Sequence, residues 1–176
     1  MIYAAIESRR LFILKPVFAS DPVQRVLLLY PELAALLAGG QTDRRIGRLQ
    51  ADLEMFVKGQ ELALSIVPYE HGTAYMGLLA PEAEGTWEIR SRDPKPGMRV
   101  FGRFAERNCF VALSWSLRSR LDARWPDKQP LGDRSSLQYQ LHQISVQERW
   151  AELFPGHDPL TGSDINALLS EKYHLV

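Results

Sequence analysis

Charged side chains recur at alternate positions in two neighbouring segments of this sequence, TWEIRSR and MRVFGRF. Because alternate residues of a strand point to the same side of a sheet, each segment presents three residues on one face, and five of these six are charged. These positions are Glu88, Arg90 and Arg92 in the first segment and Arg99, Phe101 and Arg103 in the second. Guanidinium groups hold phosphate oxygens bidentately, and an aromatic ring stacks unpaired bases. The pattern therefore indicates a face suited to RNA.

A solvated sheet face explains the same pattern without a ligand. Arginine is common on the exposed side of an antiparallel sheet, where it pairs with acids across the strands. Glu88 is well placed to neutralise Arg99 or Arg103 in such an arrangement. The alternation by itself leaves both interpretations open.

The charge of the chain is balanced overall but not locally. The 176 residues contain 21 lysines and arginines and 21 aspartates and glutamates, so the formal net charge is zero. Between Trp87 and Arg124 there are nine basic residues, Lys95 among them, and four acidic ones, a local charge of +5. One basic sector in an otherwise acidic protein is expected where a protein contacts phosphate at a single patch.

The segments WEIR, GMRVFGRF and CFVALSWSLR follow one another between Trp87 and Arg118. In this order they resemble the strands of the RelE/HigB-type toxin superfamily of toxin–antitoxin modules. The resemblance implies a protein that binds RNA or the ribosome, has a small antitoxin as partner, and cleaves messenger RNA without a metal or cofactor. A cytoplasmic location is expected from the residues, because the N-terminal apolar run of four residues is too short for a signal peptide. Cations would stabilise the transition state of that reaction. The catalytic candidates are Arg90, Arg99 and Arg118, and the RNA-binding candidates are Arg92, Lys95, Phe101 and Arg103.

A non-catalytic protein–protein interaction module on the same fold is the alternative hypothesis. An enzyme should expose Arg90, Arg99 and Arg118 together in a concave patch. An interaction module should hold them against acids such as Glu88 or beneath residues 135–176. We expect the C-terminal helix to dock away from the arginines, because an apolar stripe gains little from a face of charged groups.

The elements that position the arginines follow from the hydrophobic periodicity. It predicts an α+β fold in which N-terminal helices pack on a mostly antiparallel twisted sheet, with an added C-terminal helical segment. Three consecutive antiparallel strands are predicted over residues 87–92, 98–105 and 109–116. Apolar residues at helical spacing predict a helix from Thr42, its cap, to Lys58, and the residues expected to be buried in it are Leu49, Leu53 and Phe56.

The rest of the chain carries weaker patterns. The division expected is a toxin-like domain at residues 1–120 and, at residues 121–176, a linker and helical extension packed on it. In the N-terminal part the predicted elements are a strand over 11–18, a helix over 22–30, a helix ending at Gly39-Gly40, and two strands between Glu61 and Ala80. In the C-terminal part a helix is predicted over 136–154, and its apolar stripe includes Leu137, Leu141 and Ile144. A last helix is predicted over 164–172, capped by Ser163.

The other chemistry-bearing residues predict structural roles. The four histidines lack the spacing of a helical metal pair and no nucleotide-binding motif is present, so neither metal nor cofactor is expected. The single cysteine, Cys109, excludes an intramolecular disulfide. Trp125, in a charged, proline-flanked segment, is interpreted as part of a packed loop, or else as a lid or an anchor for a partner. Since no apolar run approaches the ~20 residues of a membrane span, we expect no membrane association.

Overall fold

A computed structural model describes residues 1–39, 42–67, 72–121 and 137–176. In these ranges the chain forms six α-helices and eight strands, which confirms the predicted α+β class. The helices are α1 Ile2–Glu7, α2 Pro31–Gly39, α3 Arg44–Val57, α4 Arg118–Leu121, α5 Leu137–Leu153 and α6 Ile165–Leu168. The strands are β1 Phe12–Ile13, β2 Val26–Leu29, β3 Leu62–Ser65, β4 Met76–Leu78, β5 Trp87–Ser91, β6 Met98–Glu106, β7 Cys109–Leu117 and β8 Tyr173–Leu175.

All eight strands join one sheet, in the order β1-β2-β7-β6-β5-β4-β3-β8. Four of its seven pairings are antiparallel. The predicted meander is confirmed, because β5, β6 and β7 pair antiparallel and align Arg90 with Arg99 and Arg99 with Ser116. At Gly102 the register shifts, and a Cβ there would overlap the carbonyl oxygen of Val111. Glycine therefore permits the close approach of β6 to β7.

Helices α2 and α3 cover one face of this sheet with apolar side chains. In α3, Leu49, Leu53 and Phe56 are fully buried, as the helical spacing predicted. The ring of Phe56 lies 6.3 Å from that of Phe104 and 6.1 Å from that of Phe110 on the sheet. The side chains between this face and the two helices form an apolar core, and the hydrophobic effect stabilises their packing.

Helix α5 covers the opposite face, and its contacts change along its length. In its C-terminal half Val146, Trp150 and Leu153 are buried in a second apolar cluster. In its N-terminal half Tyr139 and His142 lie on polar and charged residues of the sheet. The expectation that this helix avoids the arginines is wrong, since it docks on the face that carries them.

The helix predicted over residues 22–30 is also wrong. Val26–Leu29 is instead the strand β2, which pairs in parallel with residues 109–112 of β7. Leu27 and Leu28 are both fully buried, in the clusters on opposite sides of the sheet. A continuous apolar run fits a strand that is covered on both faces, and its parallel partner is distant in sequence. The N-terminal helix α1 was not predicted.

The C-terminal end differs from expectation in a similar way. The predicted helix over residues 164–172 is reduced to α6, which is capped by Asp164 rather than by Ser163. The chain then forms β8, which pairs in parallel with β3 at the edge of the sheet. Helix α3 likewise begins after Asp43 and not after Thr42. In both helices the aspartate carboxylate accepts a backbone N–H of the first turn, at 2.8 Å in α3 and 3.0 Å in α6.

Candidate functional site

Four cationic side chains converge on one cavity at the end of the meander. The cavity has a volume of about 440 Å³ and is lined by Arg92, Lys95, Pro96, Gly97, Arg99, Arg118 and Ser119. The backbone N–H of Arg118 donates to the carbonyl of Gly97 at 2.7 Å, which joins the end of β7 to the β5–β6 turn. Cations from three segments of the chain thereby face one space, which favours a bound anion.

Arg99 reaches the cavity from within the sheet. Its side chain is almost completely buried, and its residue is only 5% exposed. The Nη1 donates to the backbone carbonyls of Met98 at 2.9 Å and Ser91 at 3.3 Å, while the Nε lies 3.5 Å from Glu88 Oε2. These contacts fix the guanidinium group before any ligand is bound, so a ligand does not have to order it.

Glu88 is a buried carboxylate between two arginines. It is 2% exposed, and its Oε1 lies 3.4 Å from the Nε of Arg90. Its Oε2 faces Arg99 and also accepts a hydrogen bond of 3.1 Å from the hydroxyl of Tyr139 on α5. Glu88 thus offsets the repulsion between the paired arginines, as the solvated-face interpretation anticipated, but it does so in the interior.

Tyr139 links the helix α5 to the arginines. Its hydroxyl oxygen accepts a 2.6 Å hydrogen bond from Nη1 of Arg118, whose guanidinium carbon lies 5.7 Å from the centre of the tyrosine ring. Burial, with a smaller contribution from Glu88, raises the pKa of Tyr139 to about 12. At neutral pH the phenol is therefore protonated, so it donates to Glu88 while it accepts from Arg118.

The neighbouring arginines stay charged despite their burial. Burial lowers the pKa of Arg90 to about 10, although the charge of Glu88 opposes the shift. Burial also lowers the pKa of Arg92, whose Nη2 donates to the carbonyls of Gly72 and Ala74, each at 2.8 Å. Arginine stays protonated in proteins, so both groups are cationic at neutral pH. Arg92 lines the cavity, whereas Arg90 lies outside its lining, beside Glu88.

Two of the predicted RNA-binding residues lie away from the cavity. Phe101 is fully buried under α5, with its ring stacked on that of His142 at a centroid distance of 5.0 Å. Arg103 is 7% exposed, and its Nε lies 3.5 Å from Thr86 Oγ1. The structure brings together Arg90, Arg92, Lys95, Arg99 and Arg118, but in this conformation Phe101 offers no ring face to a base.

Hydrophobic periodicity did not identify the residues of α5 that cover the site. It assigned Leu137, Leu141 and Ile144 to the buried stripe, but each of them is about half exposed. The residues that face the sheet are Tyr139, His142, Gln143, Val146, Trp150 and Leu153. They also recur at helical spacing, so the spacing contained the correct face as well. The apolar side of the helix was expected to be buried, but the sheet beneath the first turns of α5 is itself polar and receives the polar side.

His142 makes the second polar contact of α5 with the sheet. Its Nδ1 lies 2.7 Å from the hydroxyl oxygen of Ser114, a residue of β7 that is 6% exposed. Burial, and then the charge of Arg149, lower the pKa of His142. The neutral ring therefore packs over Phe101 at neutral pH.

The other candidate residues do not add to this site. Among the described residues no three His, Cys, Asp or Glu side chains are grouped as a metal site requires. Burial raises the pKa of the Cys109 thiol to about 11, so this cysteine is a weak nucleophile at neutral pH. His174 lies at the surface, with Nδ1 3.0 Å from Glu61 Oε1. His71 and Trp125 lie outside the described residues.

Comparisons with family models, curated proteins and solved structures find no match for this chain. The similarity to RelE/HigB-type toxins therefore stays a prediction from the segment between Trp87 and Arg118. No helix within the described ranges has both the length and the apolarity needed to cross a membrane.

Proposed function

We propose that this protein is a toxin-like RNA-binding protein whose cavity takes a phosphate group of single-stranded RNA. The observation that carries the proposal is the convergence of Arg92, Lys95, Arg99 and Arg118 on one cavity. Guanidinium forks match phosphate oxygens, and the buried Arg99 is already held in place. The order of the strand motifs supports RNA over other phosphate-bearing ligands.

The same geometry favours binding over cleavage. Cleavage at a ribose 2′-hydroxyl needs a general base within reach of that proton. Glu88 is buried and already paired with Arg90 and Arg99, so a ribose hydroxyl does not reach it. Tyr139 has a pKa raised to about 12 and is protonated at neutral pH. The cations would neutralise the phosphate, but neither group is suited to accept the proton.

The proposed ligand has consequences for partners and location. Single-stranded RNA in the cytoplasm, free or on the ribosome, is the ligand we propose, and a small antitoxin-like protein is the partner that the strand motifs suggest. The protein–protein interaction module is the second candidate, and one observation favours it. Arg99 is buried and tied to the acid Glu88, which is itself bonded to Tyr139 of α5, as that hypothesis required.

The test is the affinity for a short single-stranded RNA as a function of salt. Arg99→Ala should lower the affinity about tenfold, because a charge-assisted hydrogen bond to phosphate is lost. It should also reduce the slope of log affinity against log salt by about 0.7, the value for one phosphate contact on a single strand. The affinity of Arg99→Lys, which keeps the charge but not the forked guanidinium group, should lie between those of the wild type and Arg99→Ala.

Arg107→Ala is the matched control, because Arg107 is exposed in the β6–β7 turn and its loss changes the net charge equally. It should leave the affinity almost unchanged. An equal loss of affinity in both variants would mean that RNA is held by general electrostatic attraction and not by the cavity. Absence of RNA binding by the wild type at low salt would leave the interaction module as the better proposal.

A further inference from the structure

We infer that the N-terminal half of α5 is a cover over the RNA site, and that it must move before a base can stack on Phe101. This inference rests on the proposed function and concerns its regulation. It follows from the different ways in which the two halves of the helix attach to the sheet, and from what the covering side chains occupy.

The C-terminal half of α5 is anchored mainly by apolar burial, with an additional ion pair at the surface. Val146, Trp150 and Leu153 are buried against the sheet. Arg149 donates from Nη2 to both carboxylate oxygens of Glu32, at 2.8 and 2.9 Å. Displacing this half would expose the large side chains to water, so it stays in place.

The N-terminal half is held mainly by polar contacts. Tyr139 bonds to Glu88 and Arg118, His142 bonds to Ser114, and the Gln143 amide donates to the carbonyl of Ala80 at 2.7 Å. The apolar contact of these turns is made by the rings of Tyr139 and His142 on Phe101. Leu137 and Leu141 of the same turns are half exposed and add little apolar burial. Water can replace such hydrogen bonds, so the first turns of α5 can separate from the sheet while the rest of the helix remains.

The covering histidine occupies the place of a stacked base. The rings of His142 and Phe101 are nearly parallel, with an interplanar angle of 14° and a centroid distance of 5.0 Å. Stacking of a base on an aromatic side chain is how single-stranded RNA is recognised. The imidazole and a base therefore compete for one face of Phe101, whereas a phosphate can enter the cavity beside Arg92 and Lys95 without displacing the helix.

The experiment uses the full chain and two probes, inorganic phosphate and a short single-stranded RNA. His142→Ala removes the competing ring and leaves the residues of the cavity intact. It should raise the RNA affinity about fivefold, because the apparent affinity scales with the fraction of open protein. The affinity for inorganic phosphate should not change. Hydrogen exchange of the amides of residues 137–143 should become faster in the variant, and in the wild type when RNA is added.

Tyr139→Phe is a second variant, in case His142→Ala perturbs the fold. It keeps the ring and removes only the hydroxyl that joins α5 to Glu88 and Arg118. The same exchange should accelerate, whereas Tyr173→Phe should leave it unchanged. The control is matched because the Tyr173 hydroxyl also makes a hydrogen bond, to Asn166 at 2.6 Å, at a distant surface.

The possible results distinguish a failure of the proposed cover from a failure of the proposed RNA site. If wild-type protein binds RNA but His142→Ala binds it no better and residues 137–143 exchange as before, the cover is overturned and the RNA site stands. If neither protein binds RNA at low salt, the proposed function fails and the cover fails with it.

Discussion

The two faces of the sheet differ in what lies between sheet and helix. Under α2 and α3 the contact is apolar, with Leu53 and Phe56 fully buried. On the face under α5 the buried ring of Phe101 is accompanied by a carboxylate, an arginine and a serine, namely Glu88, Arg99 and Ser114. Buried polar groups cost free energy unless each is paired, so this face adds less to stability than an apolar one of equal area. The first face therefore contributes more to the stability of the fold, and the second carries the site for which we propose RNA binding.

Two phenylalanines give the sharpest test of this difference, since Phe56 and Phe101 are both fully buried and lie on opposite faces. Phe56→Ala should lower the free energy of unfolding by about 4 kcal/mol, because the cavity stays dry among apolar neighbours. Phe101→Ala should cost about 2 kcal/mol, because water can enter beside His142 and Tyr139. Urea unfolding measures both values, and equal losses would contradict the comparison.

The buried and the exposed side of α5 should also differ in their contribution to stability, by a smaller amount. Val146→Ala removes buried apolar atoms and should cost about 2 kcal/mol, whereas Leu141→Ala, at a half-exposed position, should cost no more than about 0.5 kcal/mol. Thermal and urea unfolding of the pair would check the orientation of the helix. A larger loss for Leu141→Ala would mean that the outer side of α5 is covered by another surface.

The smallest expected effect is a pH dependence of the polar face. The pKa of His142 is lowered from 6.5 by burial and by Arg149, so the folded protein holds the ring neutral. The unfolded chain takes up a proton first, so the contribution of His142 to stability is present above its ordinary pKa and lost as the pH falls through the lower folded value. From about pH 7.5 to about pH 5, wild type should lose more stability than His142→Asn. Parallel curves for the two proteins would show that the ring titrates as in water.

Local patterns in the sequence were sufficient for the elements that build the meander and the apolar face. Alternation over residues 87–116 specifies strands joined by short turns, and each strand pairs with its neighbour in the chain. Helical spacing in α3 identified Leu49, Leu53 and Phe56 as its buried side. Arg92 and Arg99 at the cavity were found in the same way, because neighbouring strands bring alternate residues to one face. Arg118 was named only by the resemblance of the strand motifs to the toxin family.

Contacts between distant segments decided the rest. Val26–Leu29 is a strand because β7 lies beside it, and Tyr173–Leu175 is a strand because β3 does. In α5 the spacing is compatible with two buried faces, and the structure buries the one that carries Tyr139 and His142. That face is buried because the sheet supplies polar partners for it, namely Glu88, Arg118 and Ser114. Periodicity gives the spacing of a helical face, but the surface that receives the helix determines which face turns inward.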